Sequence, residues 1–160
     1  MRLTWSVWGD DIIERELVRF SGRLAADPTP AYAAIVEDMM ESIEKNFDTE
    51  GKHASGGWPE LAESTRLQKD AAGWSPGTIL RATNDLFNSL TQEGDENMVL
   101  ILGEGLTFGS SVPYGGFHQQ GTRKMPMRKP LEFPEVEKVG WMKQLQRYIV
   151  TGNLGPGAVT

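Results

Sequence analysis

The sequence contains no cysteine and only two histidines, His53 and His118, among its 160 residues. The lack of cysteine excludes disulfides, thiolate nucleophiles, iron–sulfur clusters and zinc sites built on cysteine. With so little histidine, a metal site would have to depend on carboxylates, which favours magnesium or calcium. The chain therefore offers little of the side-chain chemistry that metal centres and thiol enzymes use.

Long apolar runs are also missing from the sequence. The run at 98–102 has only five residues, whereas a helix needs about 20 apolar residues to cross a bilayer. The first five residues lack the apolar core and cleavage site of a signal peptide. We therefore expect no membrane partner and a protein that works in a cytoplasm-like compartment, or is assembled there into something larger.

Basic charge is scarce, with 16 basic against 22 acidic side chains and a net charge of −6. Free-standing nucleic-acid-binding domains are normally basic, so that class is disfavoured. The charge is also uneven, because residues 1–120 hold 9 basic and 19 acidic side chains while residues 121–160 hold 7 and 3. Two interpretations stay open: solvated faces of opposite sign, or self-association of the basic end of one copy with the acidic body of the next.

Hydrophobic periodicity in the first third predicts one strand and two helices. Residues 2–8 alternate with period two, as a strand does. A first helix after Gly9 and a second helix from Thr29 to Phe47 follow, each with one apolar stripe. The residues expected to be buried where these helices meet the sheet are Leu17, Phe20, Ile35, Met39, Ile43 and Phe47.

The remainder predicts short elements separated by glycine and proline. We expect a mobile loop at 48–57, a short helix at 59–69 anchored by Leu61 and Leu67, and a helical stretch that opens at Ser75. A hairpin of strands 97–103 and 106–110 follows. The segment 112–122 is rich in glycine and glutamine, and 125–130 is extended because two prolines forbid a helix. The last helix, 134–149, has the stripe Val139, Met142, Leu145 and Ile149.

No motif supports catalysis. The glycines of residues 103–109 lack the Lys-Ser/Thr of a phosphate loop and predict a hairpin turn. Glu37 and Asp38 are adjacent on a helix, so the two carboxylates do not face one site. Ser110-Ser111 has no nucleophile elbow around it. We expect no enzyme activity, no cofactor and no bound metal.

Two neighbouring segments, 114–121 and 125–130, have the composition of a contact surface. They combine glycines that permit close approach of backbones with aromatic side chains and an arginine beside prolines. The alternative is an ordinary structured loop in which Tyr114 and Phe117 are core residues.

Several motifs, taken in their order along the chain, resemble the Mu-like virion morphogenesis (tail completion) proteins of tailed phages. The N-terminal strand, Gly9-Asp10 and the following helix fit that family. The resemblance then rests on Gly57-Trp58-Pro59-x-Leu61 with Thr65, on Ile79-Leu80-x-x-Thr83-x-Asp85-Leu86-x-x-Ser89-Leu90, on Val99 through Gly103, on Tyr114-x-x-x-His118-Gln119-x-Gly121 and on Pro126-x-Arg128-x-Pro130-Leu131. It covers roughly residues 1–150.

The resemblance implies an α+β fold, with helices packed on a small antiparallel sheet in a single domain at 1–150 and a flexible tail at 151–160. It implies a virion protein at the head–tail junction or tail end, assembled in the bacterial cytoplasm as a homo-oligomeric ring, six-fold by expectation. Its partners would be neighbouring neck, connector or tail-tube proteins, with DNA only passing through the lumen. The candidate interface residues are Tyr114, Phe117, His118, Arg123, Lys124, Arg128 and Lys129 against Glu37, Asp38, Glu41 and Glu44.

Other functions remain open on the sequence alone. A tail terminator or a head-closure connector ring would have the same size and composition. An assembly factor that leaves the particle is a second alternative, and a small metal-dependent nuclease is a third.

Overall fold

The structure, a computed structural model, describes residues 15, 22, 27–74, 77–102 and 105–154. Its helices are α1 (Thr29–Asp48), α2 (Lys52–Ser55), α3 (Glu63–Ala71), α4 (Asp85–Thr91), α5 (Gly115–Gln120) and α6 (Glu135–Thr151), and its strands are β1 (Asn97–Leu102) and β2 (Gly105–Ser110). The strand expected at 2–8, all of the helix expected after Gly9 except residues 15 and 22, and tail residues 155–160 lie outside the described residues, so Leu17 and Phe20 are not described.

The two strands form an antiparallel hairpin whose register runs from Asn97 opposite Ser110 to Leu102 opposite Gly105. Helices α1 and α4 both contact this sheet and each other. The expected α+β class, one domain with helices on a small antiparallel sheet, is confirmed. Within the described residues no helix has the length and apolar character needed to cross a membrane.

Helix α1 supplies one wall of the core. Ile35, Ile43 and Phe47 are buried, as their spacing predicts, while Met39 is only half-buried. The central cluster of buried apolar residues consists of Ile43, Phe47, Trp58, Ile79, Leu86, Leu90 and Val112. Phe47 lies edge-on to Trp58 at 5.2 Å and to Phe87 at 5.4 Å between ring centroids, a geometry that aromatic pairs favour.

The segment 48–57, expected to be mobile, is instead a compact turn that includes α2. The Gly51 N–H donates to the Asn46 carbonyl at 2.8 Å, and the Trp58 N–H donates to the Glu50 carbonyl at 2.7 Å. Gly51 has a φ of 84°, and a Cβ there would stand 2.4 Å from the Trp58 ring. The glycine at this position therefore permits close packing, and the expectation of a mobile loop is wrong.

The helix that was expected to begin at Ser75 begins later in the chain, after two residues with left-handed backbone conformation. Leu80 and Asn84 have φ values of 58° and 66°, which a right-handed helix cannot contain. Helix α4 consequently starts only at Asp85. Helix α3 starts later than expected, at Glu63, and Leu67 on it is exposed rather than an apolar anchor.

The glycine-rich segment and the proline-containing segment after it differ in structure. Residues 115–120 form the short helix α5 in spite of two glycines, and residues 126–129 form neither helix nor strand, as expected. The buried face of α6 differs from the predicted stripe, because Trp141 is buried edge-on to Phe133 at 5.0 Å while Val139 and Met142 are exposed.

The close approach at Gly51 can be tested with a matched pair of glycines. Gly51→Ala combines left-handed strain with a clash against Trp58, so we expect a loss of about 2–4 kcal/mol in free energy of unfolding. Gly56 has a φ of 80° but open space around it, so Gly56→Ala should lose only about 1 kcal/mol. Urea melts measure both, and equal losses would show that the contact with Trp58 contributes nothing.

Candidate interface and an adjacent cavity

Helix α5 displays the two aromatic residues that the sequence singles out. Tyr114 is 40% exposed and Phe117 is 58% exposed, so neither is a core residue. The Tyr114 ring lies edge-on to the His118 ring, with 6.1 Å between centroids. The two faces of α5 differ, because Tyr114 and His118 line a cavity whose lining does not include Phe117.

The predicted basic cluster divides between solvent and the subunit interior. Arg123 and Lys124 are exposed. The Lys129 ammonium pairs with a Glu132 carboxylate oxygen at 3.3 Å, and the Lys129 carbonyl accepts a hydrogen bond from Trp58 Nε1 at 3.2 Å. Lys129 therefore makes its contacts within its own subunit, through both its ammonium group and its carbonyl.

Arg128 needs a correction, because it was expected to be an exposed charge at an interface. It is only 7% exposed. Its Nε donates to the Pro59 carbonyl and its Nη2 donates to the Glu60 carbonyl, both at 2.8 Å. Burial lowers the pKa of its guanidinium from the ordinary value, although an arginine remains charged at any physiological pH. Arg128 thus fastens the 126–130 segment to the chain just before α3.

His118 lies beside this buried arginine. Its Nδ1 is buried and has no hydrogen-bond partner among the described residues. Burial lowers the pKa of His118, and the charge of Arg128 lowers it further. His118 is therefore a neutral imidazole at pH 7.

The acidic candidates lie along the outer side of α1. Glu37, Glu41 and Glu44 are exposed and Asp38 is half-buried. Lys45 pairs with Glu41 at 2.9 Å and offsets one of the four charges. This acidic α1 face, made of these four carboxylates, keeps a surplus of negative charge.

The surplus of negative charge affects the pKa of Asp38. Burial raises the pKa of its carboxyl group, and the neighbouring Glu41, Glu37 and Glu137 carboxylates raise it further. One of its oxygens is buried without a hydrogen-bond partner among the described residues. The chain therefore holds this carboxylate in an unfavourable environment.

A contact of serine, histidine and glutamate joins α1, α2 and α6. His53 Nε2 lies 3.0 Å from Glu137 Oε1 and 3.3 Å from Ser42 Oγ, and the Ser42 hydroxyl donates to the other Glu137 oxygen. A catalytic triad uses the two different ring nitrogens of histidine, whereas here one nitrogen faces both partners. The contact is a structural clasp. Among the described residues no group of three or more acidic or histidine side chains could hold a metal.

A cavity of about 690 Å³ lies beside α5. Its walls come from residues 60–69 with Trp74, from residues 80–85 and from residues 114–128. We name it the α3–α5 cavity. Lys69 lies in its wall and is only 6% exposed, with its ammonium bound by the carbonyls of Thr78 and Arg81. Sequence reasoning missed Lys69, because one lysine in a polar helix carries no signal of burial.

The motifs that carry the family resemblance converge on this cavity. They lie far apart in the chain, and the fold brings part of four of them into its lining: Leu61, Thr65, Leu80, Thr83, Asp85, Tyr114, His118, Pro126 and Arg128. The sequence therefore contains the motifs that line the cavity, but it does not show that the fold brings them together.

Over the described residues, the fold and site define a small α+β protein with an exposed aromatic helix, an acidic helix face and an open cavity lined by both apolar and charged side chains. The chain belongs to the phage virion morphogenesis family, whose model matches residues 10–146. This confirms the resemblance and makes the chain a protein of phage virion assembly.

A curated relative agrees with the family. The chain is 36% identical over 92 residues to "Mu-like prophage FluMu G protein 1" of Haemophilus influenzae (strain ATCC 51907 / DSM 11121 / KW20 / Rd). The matched region is 56% of this chain and 58% of that relative, so the chain spans little more than half of the relative's length. No solved structure gives a significant match.

Arg128 yields a test that separates anchoring from surface charge. Arg128→Met should lower the free energy of unfolding by about 1–3 kcal/mol, because the Pro59 and Glu60 carbonyls lose their donors. Arg123→Met removes an exposed arginine and should change stability by less than about 0.5 kcal/mol. Chemical denaturation of both variants measures this, and equal effects would contradict the anchoring role.

Asp38 yields a test of pH dependence. Because its pKa is raised in the folded state, its charge destabilises the subunit at neutral pH, and this loss disappears as pH falls through the raised value towards that of an ordinary aspartate. Asp38→Asn should therefore gain about 0.5 kcal/mol at pH 7, a size limited by solvent screening, and nothing at acidic pH. Exposed Glu44→Gln is the control. A gain that persists at low pH would contradict the electrostatic cause.

Proposed function

We propose that the chain is a tail completion or neck component that forms a homo-oligomeric ring of six copies at the head–tail junction or tail end. The ring would be needed to join tail to head, assembled in the host cytoplasm and retained in the virion. The same surfaces would serve a tail terminator or a head-closure connector ring, which are the alternative positions. The proposal includes no catalysis and no membrane partner.

The observation that carries the proposal is that one chain displays two different surfaces of complementary character. The α5 surface consists of Phe117 with Arg123 and Lys124, all exposed. The other is the acidic α1 face, with Glu37 and Glu44 among its exposed carboxylates. A ring needs such a head-to-tail contact, in which one surface of each copy meets a different surface of the next.

The two surfaces would contribute differently to the contact. Exposed charges at the edge of an interface mainly set encounter rate and orientation, while a buried aromatic anchor supplies most of the affinity. Phe117 is the anchor with the largest exposed fraction on α5 among the candidates. Lys124 and Arg123 would orient it against the α1 face of the neighbouring copy.

The net negative charge of −6 suits the proposed lumen. A wall that repels phosphates allows DNA to pass without binding to it. Neighbouring neck, connector or tail-tube proteins would occupy the layers above and below the ring.

Charge exchange between the two surfaces tests the proposed contact. Lys124→Glu and Glu41→Lys should each weaken ring formation about tenfold, and the double variant should recover part of the loss because the pair is restored in reverse. Phe117→Ala should weaken assembly more than either, with the melting temperature of the subunit unchanged. Native mass spectrometry and analytical ultracentrifugation measure the ring.

The control is Arg147→Glu, an exposed charge reversal on α6 outside both surfaces, which should leave assembly unchanged. Lack of recovery in the double variant, or a ring insensitive to Phe117→Ala, would contradict the proposed contact. Reconstruction of the virion would show which layer of the neck or tail contains the chain. Absence of the chain from the particle would contradict a structural role.

A further inference from the structure

The α3–α5 cavity has the form of a ligand site. Its volume of about 690 Å³ falls within the range of small-ligand and side-chain pockets. Much of its wall is apolar, formed by Leu61, Trp74, Leu80, Tyr114, Met125 and Pro126. When another apolar group displaces water from such a wall, the free energy of the system falls, so binding of that group is favoured.

Two buried cations distinguish this cavity from a packing defect. Lys69 and Arg128 are 6% and 7% exposed, and their hydrogen bonds go to neutral oxygens, chiefly backbone carbonyls. Within the described residues neither forms an ion pair with a carboxylate, and Glu50 acts on the charge of Lys69 only from beyond ion-pair distance. Burial of a charge without an opposite charge is costly, and a chain that needed only the carbonyl contacts could make them with neutral donors.

The charge on the cavity wall is positive overall. Four lining residues are cationic, Lys69, Arg81, Lys124 and Arg128, and two are acidic, Glu60 and Asp85. Both acidic groups already have partners, since Glu60 pairs with Arg66 at 3.4 Å and Asp85 accepts a hydrogen bond from Thr83 at 2.6 Å. Of the four cations, Arg81 is paired, with Asp48 at 2.8 Å.

His118 adds an unused polar group to the same wall. Its buried Nδ1 has no hydrogen-bond partner among the described residues, and the ring lines the cavity next to Arg128. A buried polar atom without a partner is a penalty that a ligand group can remove.

We propose that the α3–α5 cavity binds a carboxylate that directly neighbours a large apolar side chain, carried by a segment of another protein of the virion. The apolar side chain fills the cavity, and the carboxylate lies against Arg128 and Lys124. The inference rests on the proposed function only for the statement that the partner belongs to the particle. It gives the subunit a second contact surface, which shares Lys124 with the α5 surface but includes neither Phe117 nor the acidic α1 face.

The chemistry of the cavity can be tested without assembly, using indole-3-propionate as the probe and indole-3-propionamide as its neutral match. We expect the acid to bind saturably, with shifts of the His118 ring signals in NMR spectra, and the amide to bind about tenfold more weakly. Two histidines make the assignment simple, since His53→Gln removes the other set of ring signals. Equal binding of acid and amide, or no binding of the acid, would overturn the proposal.

A matched pair of alanines tests the location. Ala82 lines the cavity and is exposed, so Ala82→Trp should fill the cavity and abolish binding of the acid while leaving the fold intact. Ala71, at the end of α3, is exposed and outside the lining, so Ala71→Trp should bind as the parent does. Unchanged binding in Ala82→Trp would overturn the assignment of the site.

The occupant is tested in the particle. With Ala82→Trp we expect purified protein to form the same oligomer as the parent, while virions lose one other structural protein or fail to join head and tail. If the oligomer itself dissociates, the occupant is a second copy and the proposed partner is wrong. If particles are complete and infectious, the cavity has no partner in the virion and the proposal fails, whether or not the ring forms.

Discussion

The contact of Trp58 with the turn at Gly51 holds the functional part of the molecule in place. The indole lies against a glycine that has no Cβ, stacks edge-on with Phe47, and donates its Nε1 hydrogen to the Lys129 carbonyl. The segment at 126–129 has no helix or strand hydrogen bonds of its own. Its position therefore depends on the side-chain bonds from Trp58 and Arg128 and on the backbone N–H of Arg128, which donates to the His118 carbonyl at 2.9 Å.

Two buried cations, Lys69 and Arg128, also hold irregular segments of the chain by donating hydrogen bonds to backbone carbonyls. Lys69 binds the carbonyls of Thr78 and Arg81, and so orders a stretch that would otherwise lack partners for these groups. Arg128 does the same for Pro59 and Glu60. These hydrogen bonds satisfy the donors, but neither cation has a carboxylate at ion-pair distance among the described residues, and Glu50 stabilises Lys69 only from farther away. Both side chains line the cavity, where an anionic group could pair with one of them.

The sequence predicted the elements that depend on local periodicity. Helix α1 was predicted nearly to the residue because its apolar positions repeat with a helical period. The hairpin was predicted equally well from a short apolar run followed by a glycine-containing turn, although most of the apolar side chains of β1 are exposed. The glycines near 51 suggested mobility, whereas tertiary packing uses Gly51 to admit an indole. The late start of α4 depends on left-handed residues at Leu80 and Asn84, which no pattern of hydrophobicity encodes.

The sequence indicated which residue types form the candidate site, but it did not indicate which of these side chains are exposed and which are buried. Phe117 is exposed, in keeping with its place in the proposed contact surface, but Arg128 was taken for a surface charge because its neighbours in sequence are basic and proline-rich. Arginine is buried when backbone carbonyls distant in sequence meet its planar donors, and that meeting is a property of the fold. Lys69 was missed for the same reason.

The distribution of charge around α5 links these observations. On the cavity side, Arg128 is held rigidly by carbonyls, so its charge has a fixed place and suits selection of one partner group. On the solvent side Arg123 is exposed, and Lys124 is exposed while it also lines the cavity. Exposed charges act over a distance of about 8 Å at physiological salt and suit attraction of a whole acidic surface. On the acidic α1 face, burial and the neighbouring carboxylates raise the pKa of Asp38, so a positively charged partner surface would relieve an unfavourable charge there. The proposed contact with a second copy and the proposed contact with a different protein would therefore use two sides of one short helix, with Lys124 at the border between them.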